Sequence, residues 1–502
     1  MASRKSAEQY MNIMAMGLKI VDTISITPFN QIFALKKYEE ISNLVKTKMD
    51  SYWCNDDNLF LTKIKSFFLS IEENTDKDCK QIMAVTFCQW LDLKITYMKN
   101  EYNPQGNRIY FSLSNLVPLT SNNPVTLNSL NTNYQETGIW INPKFPIASP
   151  HITRNEKKIV KPVCNRDIFE NINGSLTNCS YILYDDKKIV KNIILSNSFL
   201  NNQKQQVLSI AFSPMSDKSD LIQTEDQLIK RDGNEFNGEA VKPLTKLQAQ
   251  ELLERFKNDW TLAGDINADI FFAPELLGTS LSEKNDGIYN TLIFEYSSQR
   301  LSQRKNVPIL TILPSYWVDN CNSSTIVNQD GEILAKQEKH VPFVDKNANK
   351  MEALAEKATW ETILIHIPNV HRIAIVICAE FLSDQERIKK FICGSLGATL
   401  IIVPSYSRGE QDFINTLPIL KCYGTTIVWG NCCGAVSSAA KAIGGCGIAG
   451  TTQTAILGNQ CKCNFTCKNI KACVFKIAIP LDFELSKTKD HVQTATITHE
   501  TR

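Results

Sequence analysis

The chain has 502 residues, with 54 basic and 52 acidic side chains and a formal net charge of +2. Single cores stop growing beyond about 250–300 residues, so two or three folding units are expected, and with no long like-charged tract to neutralise a phosphate backbone, nucleic acid is excluded as a main partner. A hydrophobic share of 43% against 21% charged residues is that of a globular chain, not of a disordered tail or a coiled coil.

No stretch reaches the roughly 18–20 continuous apolar residues that a membrane span needs, so no membrane partner is expected. The N-terminal residues show no small-residue cleavage site. The 16 cysteines are spread from Cys54 to Cys473, too thinly for a disulfide scaffold, which favours a reducing cytoplasmic setting.

Taken in chain order, apolar residues recur at three- and four-residue spacing over 6–23, 31–49, 58–72 and 78–98, which predicts a mainly helical domain of unknown role over 1–110. From 111 to 202 the composition turns to Asn, Ser, Thr and Pro, as in Ser121-Asn122-Asn123-Pro124, and predicts a loop-rich connector with short strands. Within it, 181–195 reads as two strands about the polar turn Asp185-Asp186-Lys187-Lys188, a plain hairpin. The second half changes rhythm. Strand-like runs at 206–212, 270–273, 307–313, 324–327, 372–377, 398–403, 425–429 and 474–479 alternate with helical patterns at 244–262, 289–305, 385–396 and 411–423. Such alternation predicts α/β layers. Residues 486–502 read as a polar tail.

Three segments place an ionisable residue at the end of a strand, where α/β proteins put reactive groups. The apolar run Ile270-Phe271-Phe272-Ala273-Pro274 leads to Glu275, a carboxylate suited to proton transfer. A turn at Asp330-Gly331 is followed by a strand carrying Lys336 and Lys339. The run from His371 to Ile377 ends in Cys378, with Glu380 two residues on. Singly, the glutamate reads as a solvated loop residue and the cysteine as an inert core residue, while one of the two lysines could face a pocket.

In this order, Glu275, Lys339 and Cys378 resemble the site of the nitrilase, or carbon–nitrogen hydrolase, superfamily. Val207-Leu208-Ser209-Ile210-Ala211-Phe212 is similar to the family's first strand, and Phe272-Ala273-Pro274-Glu275 to its glutamate segment. Asp330-Gly331-Glu332-Ile333-Leu334 with Lys339 resembles the lysine segment, and Ile375-Val376-Ile377-Cys378-Ala379-Glu380 the nucleophile segment. The runs 397–405 and 427–434 resemble the strands that follow.

The resemblance implies a four-layer α-β-β-α sandwich over 203–485, preceded by the helical region and the connector, and a homodimer or higher homo-oligomer paired through outer helices. It implies a small amide or nitrile substrate, amide preferred, and no cofactor or metal. Cys378 would be the nucleophile, Glu275 the proton carrier and Lys339 the support of the oxyanion. A slip of three residues would put Lys336 in place of Lys339. For a supporting acid, Asp345 is preferred and Glu352 comes second, while Glu380 reads as bonding backbone amides near the nucleophile. Gln337 and Ala379 stand where many members have aromatic residues, so the pocket wall must differ. Two other functions stay open: a metabolite-sensing or scaffold domain regulating an N-terminal module, and an amide-forming acyltransferase. The N-terminal region is also a candidate for binding a protein partner.

Two further patterns are set aside. Gly445-Cys446-Gly447-Ile448-Ala449-Gly450 matches a dinucleotide fingerprint, yet no strand leads cleanly in and no helix pattern follows, so it reads as a glycine-rich turn. Cys461, Cys463, Cys467 and Cys473 could in principle hold zinc, but the spacing is not that of paired Cys-x-x-Cys knuckles.

Overall fold

The computed structural model describes residues 4–24, 29–53, 57–98, 109–112, 125–127, 129–130, 134–144, 172–183, 188–195, 207–214, 235–236, 246–275, 307–318, 320–329, 331–345, 350–355, 360–367, 370–407, 410–416, 425–432, 445–449, 471–480 and 496–502. The first part is helical: α1 (Arg4–Ile24), α2 (Phe29–Ile32), α3 (Tyr38–Tyr52), α4 (Asp57–Glu73) and α5 (Lys77–Lys94). Helix α5 is the hub, buried on nearly every face from Gln81 to Asp92. A helix buried all round must be enclosed by its neighbours, and α1, α3 and α4 pack around it. Helix α1 comes closest at Gly17, where a Cβ would stand 2.9 Å from the Cys88 sulfur. The α5 N-terminus is capped by Asp76, whose carboxylate accepts from the Cys79 amide.

The chain then runs through β1 (Ile95–Met98), β2 (Ile109–Ser112), β3 (Val125–Leu127), α6 (Tyr134–Thr137), β4 (Ile139–Pro143), a 3₁₀ turn (Ile172–Ser175), β5 (Cys179–Leu183) and β6 (Lys188–Ile194). Strands β4 and β5 form an antiparallel pair with two buried faces. Ile139, Ile141, Cys179 and Tyr181 join the helical core, while Trp140 and Ile182 join the core of the second half. The two-residue period of a strand lets one short pair join two cores.

A buried carboxylate reinforces the junction. Asp92 of α5 accepts from the backbone amides of Thr177, Asn178 and Cys179 at 2.5, 3.0 and 2.9 Å. Burial pushes its carboxyl up, against the pull of these donors.

The second half builds two sheets. The first contains β7 (Val207–Phe212), β9 (Ile270–Phe272), β10 (Leu310–Ile312), β11 (Tyr316–Val318), β12 (Cys321–Asn328), β13 (Ile333–Glu338), β21 (Cys473–Pro480) and β22 (Thr496–Thr501), in the order β11-β12-β10-β9-β7-β21-β22 with β13 on β12. The second contains β3, β6, β16 (Trp360–Ile367), β17 (His371–Ile375), β18 (Leu400–Ser405), β19 (Thr426–Asn431) and β20 (Gly445–Ala449), in the order β20-β19-β18-β17-β16-β6-β3. A small third sheet joins β8 (Glu235–Phe236), β14 (Val344–Asp345) and β15 (Lys350–Glu352).

Alternation sorts the first sheet into two faces. Ile210, Phe212, Ile270, Phe272, Phe475 and Ile477 share one core with the second sheet. Ala211, Phe271 and Val474, one register off, join Leu252, Phe256 and Trp260 of α7 (Lys246–Asp265). Helix α7 is seated by buried Asp259, which accepts from the Cys473 amide at 2.6 Å and the Ser213 hydroxyl at 2.7 Å. The second sheet's core includes Phe381 of α8 (Ala379–Ser383), Ile388 and Ile392 of a π-helix (Arg387–Ser395) and Phe413 of α9 (Glu410–Thr416). Among the described residues no helix is long and apolar enough to cross a membrane.

Several sequence expectations need correction. The proposed boundary at 203 cuts through a sheet, because β3 and β6, from the expected connector, are strands of it. Strands β5 and β6 do not form a hairpin. The first pairs with β4 and the second runs parallel to β16, so the polar segment between them carries the chain from one sheet to another. The helix expected over 78–98 ends at Lys94, where Ile95 turns extended, and that over 31–49 is broken between α2 and α3. The expected glycine-rich turn contributes β20, paired with β19, and the expected polar tail contributes β22, paired with β21. The helix expected over 289–305, the end of that over 411–423, and Cys461, Cys463 and Cys467 lie outside the described residues.

The sheets approach closely at Gly430 of β19, where a Cβ would lie 2.5 Å from the buried Phe212 ring of β7. Overpacking a core costs about 1–3 kcal/mol. Gly430→Ala is expected to lower unfolding stability by that amount in urea titration, and Phe212→Leu in the same chain should recover part of it. An unchanged midpoint for Gly430→Ala would contradict this packing.

Candidate active site

Strand β9 ends at Phe272, and Ala273-Pro274 carries the chain out of the ladder to Glu275. The next strand of the sheet holds this exit, with the Ala273 amide donating to the Ile312 carbonyl at 3.1 Å and the Ser315 amide to the Pro274 carbonyl at 3.3 Å. The Glu275 side chain is buried.

Lys339 follows β13 directly. Its amide donates to the Asn322 carbonyl of β12 at 2.8 Å, which extends the ladder by one bond. Two residues earlier, Gln337 reaches the other sheet. Its carboxamide accepts from the Ile363 amide at 3.0 Å and donates to the Glu361 carbonyl at 3.3 Å, both on β16. The polar residue at this place therefore cross-links the sheets beside the lysine.

The Lys339 ammonium is buried between two carboxylates, 2.8 Å from Glu275 Oε1 and 2.7 Å from Glu352 Oε2. Burial disfavours its charge, but Glu275, Glu352 and Cys378 outweigh burial and raise its pKa, so the ammonium stays protonated. For Glu352 the balance goes the other way, and burial raises its carboxyl despite Lys339. Asn322 donates from Nδ2 to Glu275 Oε1 at 2.9 Å and to Glu352 Oε1 at 3.4 Å, so one carboxamide spans both acids.

The second acid on the lysine is thus Glu352. Asp345, preferred from sequence, lies on β14 with its Cα paired to Lys350. Continuing that ladder, Glu352 exchanges bonds with Phe343: its amide donates to the Phe343 carbonyl, and its Oε2 accepts from the Phe343 amide at 2.7 Å. Lys336 is exposed, and its ammonium donates to the Tyr316 hydroxyl at 2.7 Å.

Cys378 closes the site from the second sheet. Beyond β17 the chain stays paired to β18, with the Val376 amide on Ile402 and the Cys378 amide on Pro404 at 3.0 Å. It then turns sharply into α8. Cys378 has φ 47° and ψ −115°, a conformation unfavourable for a residue with a Cβ and costing about 1–3 kcal/mol. Burial pushes the Cys378 thiol well up. The charge of Glu275 adds to this, while Lys339 opposes it. The sulfur also lies 3.8 Å from the Tyr406 carbonyl. The loop bearing Tyr406 is fixed by Asn431 at the end of β19, which accepts from the Ser407 amide at 2.9 Å and donates to its carbonyl at 2.8 Å.

Glu380, buried in α8, accepts from the backbone amides of Ile377 and His340, each at 3.2 Å, and from Arg387 at 2.5 Å. Sequence reasoning missed Asn322, because an asparagine within a strand carries no local motif, and it marked Asn431 only as the end of a family-like strand, without a role. Among the described residues no group of three or more His, Cys, Asp or Glu side chains is arranged to hold a metal ion. Cys473 lies on β21, 2.8 Å from His499 Nε2. The arrangement brings a thiol, a proton acceptor and a fixed positive charge together out of water, a set capable of nucleophilic attack on a polarised carbon.

No family model and no curated protein matches the chain. Among solved structures, an amidase from Nesterenkonia sp. is similar at 15% identity, over 56% of this chain and 93% of that one, with a TM-score of 0.35. A variant of the Nesterenkonia sp. AN1 amidase, showing Michael addition of acrylamide at its active-site cysteine, is similar at 14% identity over 56% and 96%, with a TM-score of 0.34. Another variant of that amidase, in complex with butyramide, is similar at 14% identity over 55% and 92%, with a TM-score of 0.34.

Proposed function

We propose that this chain is a thiol-dependent hydrolase of the nitrilase superfamily that cleaves a non-peptide carbon–nitrogen bond, with amides as its substrate class. The observation that carries the reading is the buried Glu275–Lys339–Glu352 group beneath the Cys378 turn. In this reading, α7, the two large sheets and the helices on the second sheet form the four-layer α-β-β-α order, to which β3 and β6 add two strands from the first 200 residues.

The reaction needs a nucleophile, a proton carrier and support for an oxyanion. The Cys378 sulfur attacks the amide carbon while its proton passes to Glu275, so the free enzyme can hold a neutral thiol. The carbonyl oxygen gains negative charge beside the Lys339 ammonium, an interaction of the kind that contributes about 3 kcal/mol to a transition state. As the C–N bond breaks, Glu275 returns the proton to the departing amine, leaving a thioester on Cys378. A water molecule, deprotonated by Glu275, then attacks the thioester, the C–S bond breaks, and the acid leaves as the thiol regains its proton. Glu352 holds Lys339 in place and takes no proton in this scheme. An amide suits the site because its leaving nitrogen requires the proton that Glu275 has just received.

The test is ammonia release from a panel of acetamide, propionamide and butyramide with matched nitriles. The wild-type chain should turn over at least one amide, and Cys378→Ala and Lys339→Met should each lose at least 10³-fold, in the range expected for nucleophile or oxyanion support. Equal turnover by Cys378→Ala and wild type would overturn the proposal.

A second outcome concerns pH. Because burial and Glu275 hold the thiol up, alkylation of Cys378 by iodoacetamide should rise with a midpoint above the roughly 8.5 of a free cysteine. Glu275→Gln removes the negative neighbour, so its midpoint should shift down while turnover is lost. A midpoint in Glu275→Gln at or above that of the wild type would contradict the placement of this carboxylate beside the sulfur.

A further inference from the structure

The groups of the proposed site come from different sheets: Lys339 follows β13 of the first, and Cys378 follows β17 of the second. Their separation must be held within a few tenths of an ångström for attack and oxyanion support to coincide. One buried carboxylate touches the backbone on both sides. Glu380 accepts from the Ile377 amide, one residue before the nucleophile, through Oε2, and from the His340 amide, one residue after the lysine, through Oε1.

The carboxylate is itself held. Arg387, the first residue of the π-helix, donates from Nη2 to Glu380 Oε1 at 2.5 Å and from Nε to Asp384 Oδ2 at 2.6 Å. Only a guanidinium presents two such donors in a rigid fork. Its planar head lies 5.8 Å from the centre of the Trp360 ring, and the His340 ring stacks on Trp360 at 5.6 Å with an interplanar angle of 3°. His340 is fixed again by Nε2 against the Glu361 carbonyl at 2.9 Å. The residue after the lysine is thus held at both backbone and ring.

We propose that Glu380, locked by Arg387, is a positioning residue that sets the distance between the Cys378 sulfur and the Lys339 ammonium by joining the two backbones that carry them. It touches no reacting atom. Its action is through the turn at Cys378, whose strained backbone would relax toward a commoner conformation if the Ile377 amide lost its acceptor. This inference rests on the reading of Cys378 and Lys339 as nucleophile and oxyanion support.

The experiment compares wild type, Glu380→Gln, Arg387→Lys and, as a surface control on the same π-helix, Lys390→Ala. Two readouts are taken on the full chain: kcat and KM on the best amide of the panel, and the pH dependence of Cys378 alkylation by iodoacetamide with no panel amide present. Glu380→Gln should lower kcat on the order of 10²-fold with KM little changed, the scale expected for a misplacement of about 1 Å. Its alkylation midpoint should shift from the wild-type value, because the sulfur moves relative to Lys339 and Glu275, which act on its thiolate in opposite directions. Arg387→Lys keeps the charge but loses the fork, and should show the same changes in smaller measure. Lys390→Ala should match wild type in both.

A drop in melting temperature for Glu380→Gln and Arg387→Lys, with kcat and the alkylation midpoint unchanged, would overturn the proposal in favour of a purely structural bond. Should Glu380→Gln fail to fold, Arg387→Lys decides by the same two readouts. If no amide is turned over by wild type, the hydrolase reading fails, while the alkylation midpoint still decides whether Glu380 sets the environment of the sulfur.

Discussion

A single ammonium held between two carboxylates, out of water, constrains the whole site. An isolated charge at the depth of Lys339 would not stay charged, and removing one partner from such a buried group costs about 3–5 kcal/mol. Keeping Lys339 charged therefore obliges three separate stretches of chain to converge. Glu275 comes from the exit of β9, Lys339 from the end of β13 and Glu352 from the short strand β15. Asn322 on β12 bridges the two acids and accepts the Lys339 amide on its backbone, so one residue secures the register of all three. The sheet order, with β9, β10, β12 and β13 side by side, is what makes the convergence geometrically available.

The same electrostatics shape the thiol. A carboxylate beside Cys378 raises its pKa and Lys339 lowers it, while burial dominates both. A resting thiolate would add a negative charge to a group that already holds two carboxylates and one ammonium. In the proposed reaction, a neutral thiol whose proton moves to Glu275 during attack avoids that accumulation. The strain of the Cys378 turn is offset by hydrogen bonds on either side: the Cys378 amide to the Pro404 carbonyl, the Phe381 amide to the Cys378 carbonyl, and the Ile377 amide to the Glu380 carboxylate.

The candidate site was readable where local pattern and chemistry coincide. Glu275 and Cys378 each close an apolar run and Lys339 follows a strand that begins after a turn signal, so a strand-end rule and a family resemblance pick them out together. Glu352 escaped first preference because β15 is a three-residue strand, too short for a periodic signal, and its partner Phe343 lies nine positions away across a turn. The widest error in the fold has a similar cause. Strand β6 runs parallel to β16, and the register pairs Val190 with Thr362, 172 positions further along the chain. Local periodicity detects a strand but not a distant parallel partner, so β5 and β6, neighbours in sequence, were read as a hairpin. The segment Trp360–Ile367 went unread as a strand although its Ile363, Ile365 and Ile367 alternate with Thr362, Leu364 and His366.

The first 200 residues are structurally continuous with the rest through β3, β6 and the two-faced β4–β5 pair. The π-helix that carries Arg387 packs against β5 and the 3₁₀ turn Ile172–Ser175, and the strand pair it meets is anchored to α5 by Asp92. The helical unit thus backs the π-helix that carries Arg387. All of this has chemical meaning only if Cys378 carries the acyl group. The most direct measurement is acid-quenched intact-mass spectrometry during turnover of the amide panel, followed by peptide mapping. An acyl mass on the peptide containing Cys378, lost when hydroxylamine is added, is the predicted result. Turnover with no acyl mass on that peptide, or with the acyl group on another residue, would contradict the account.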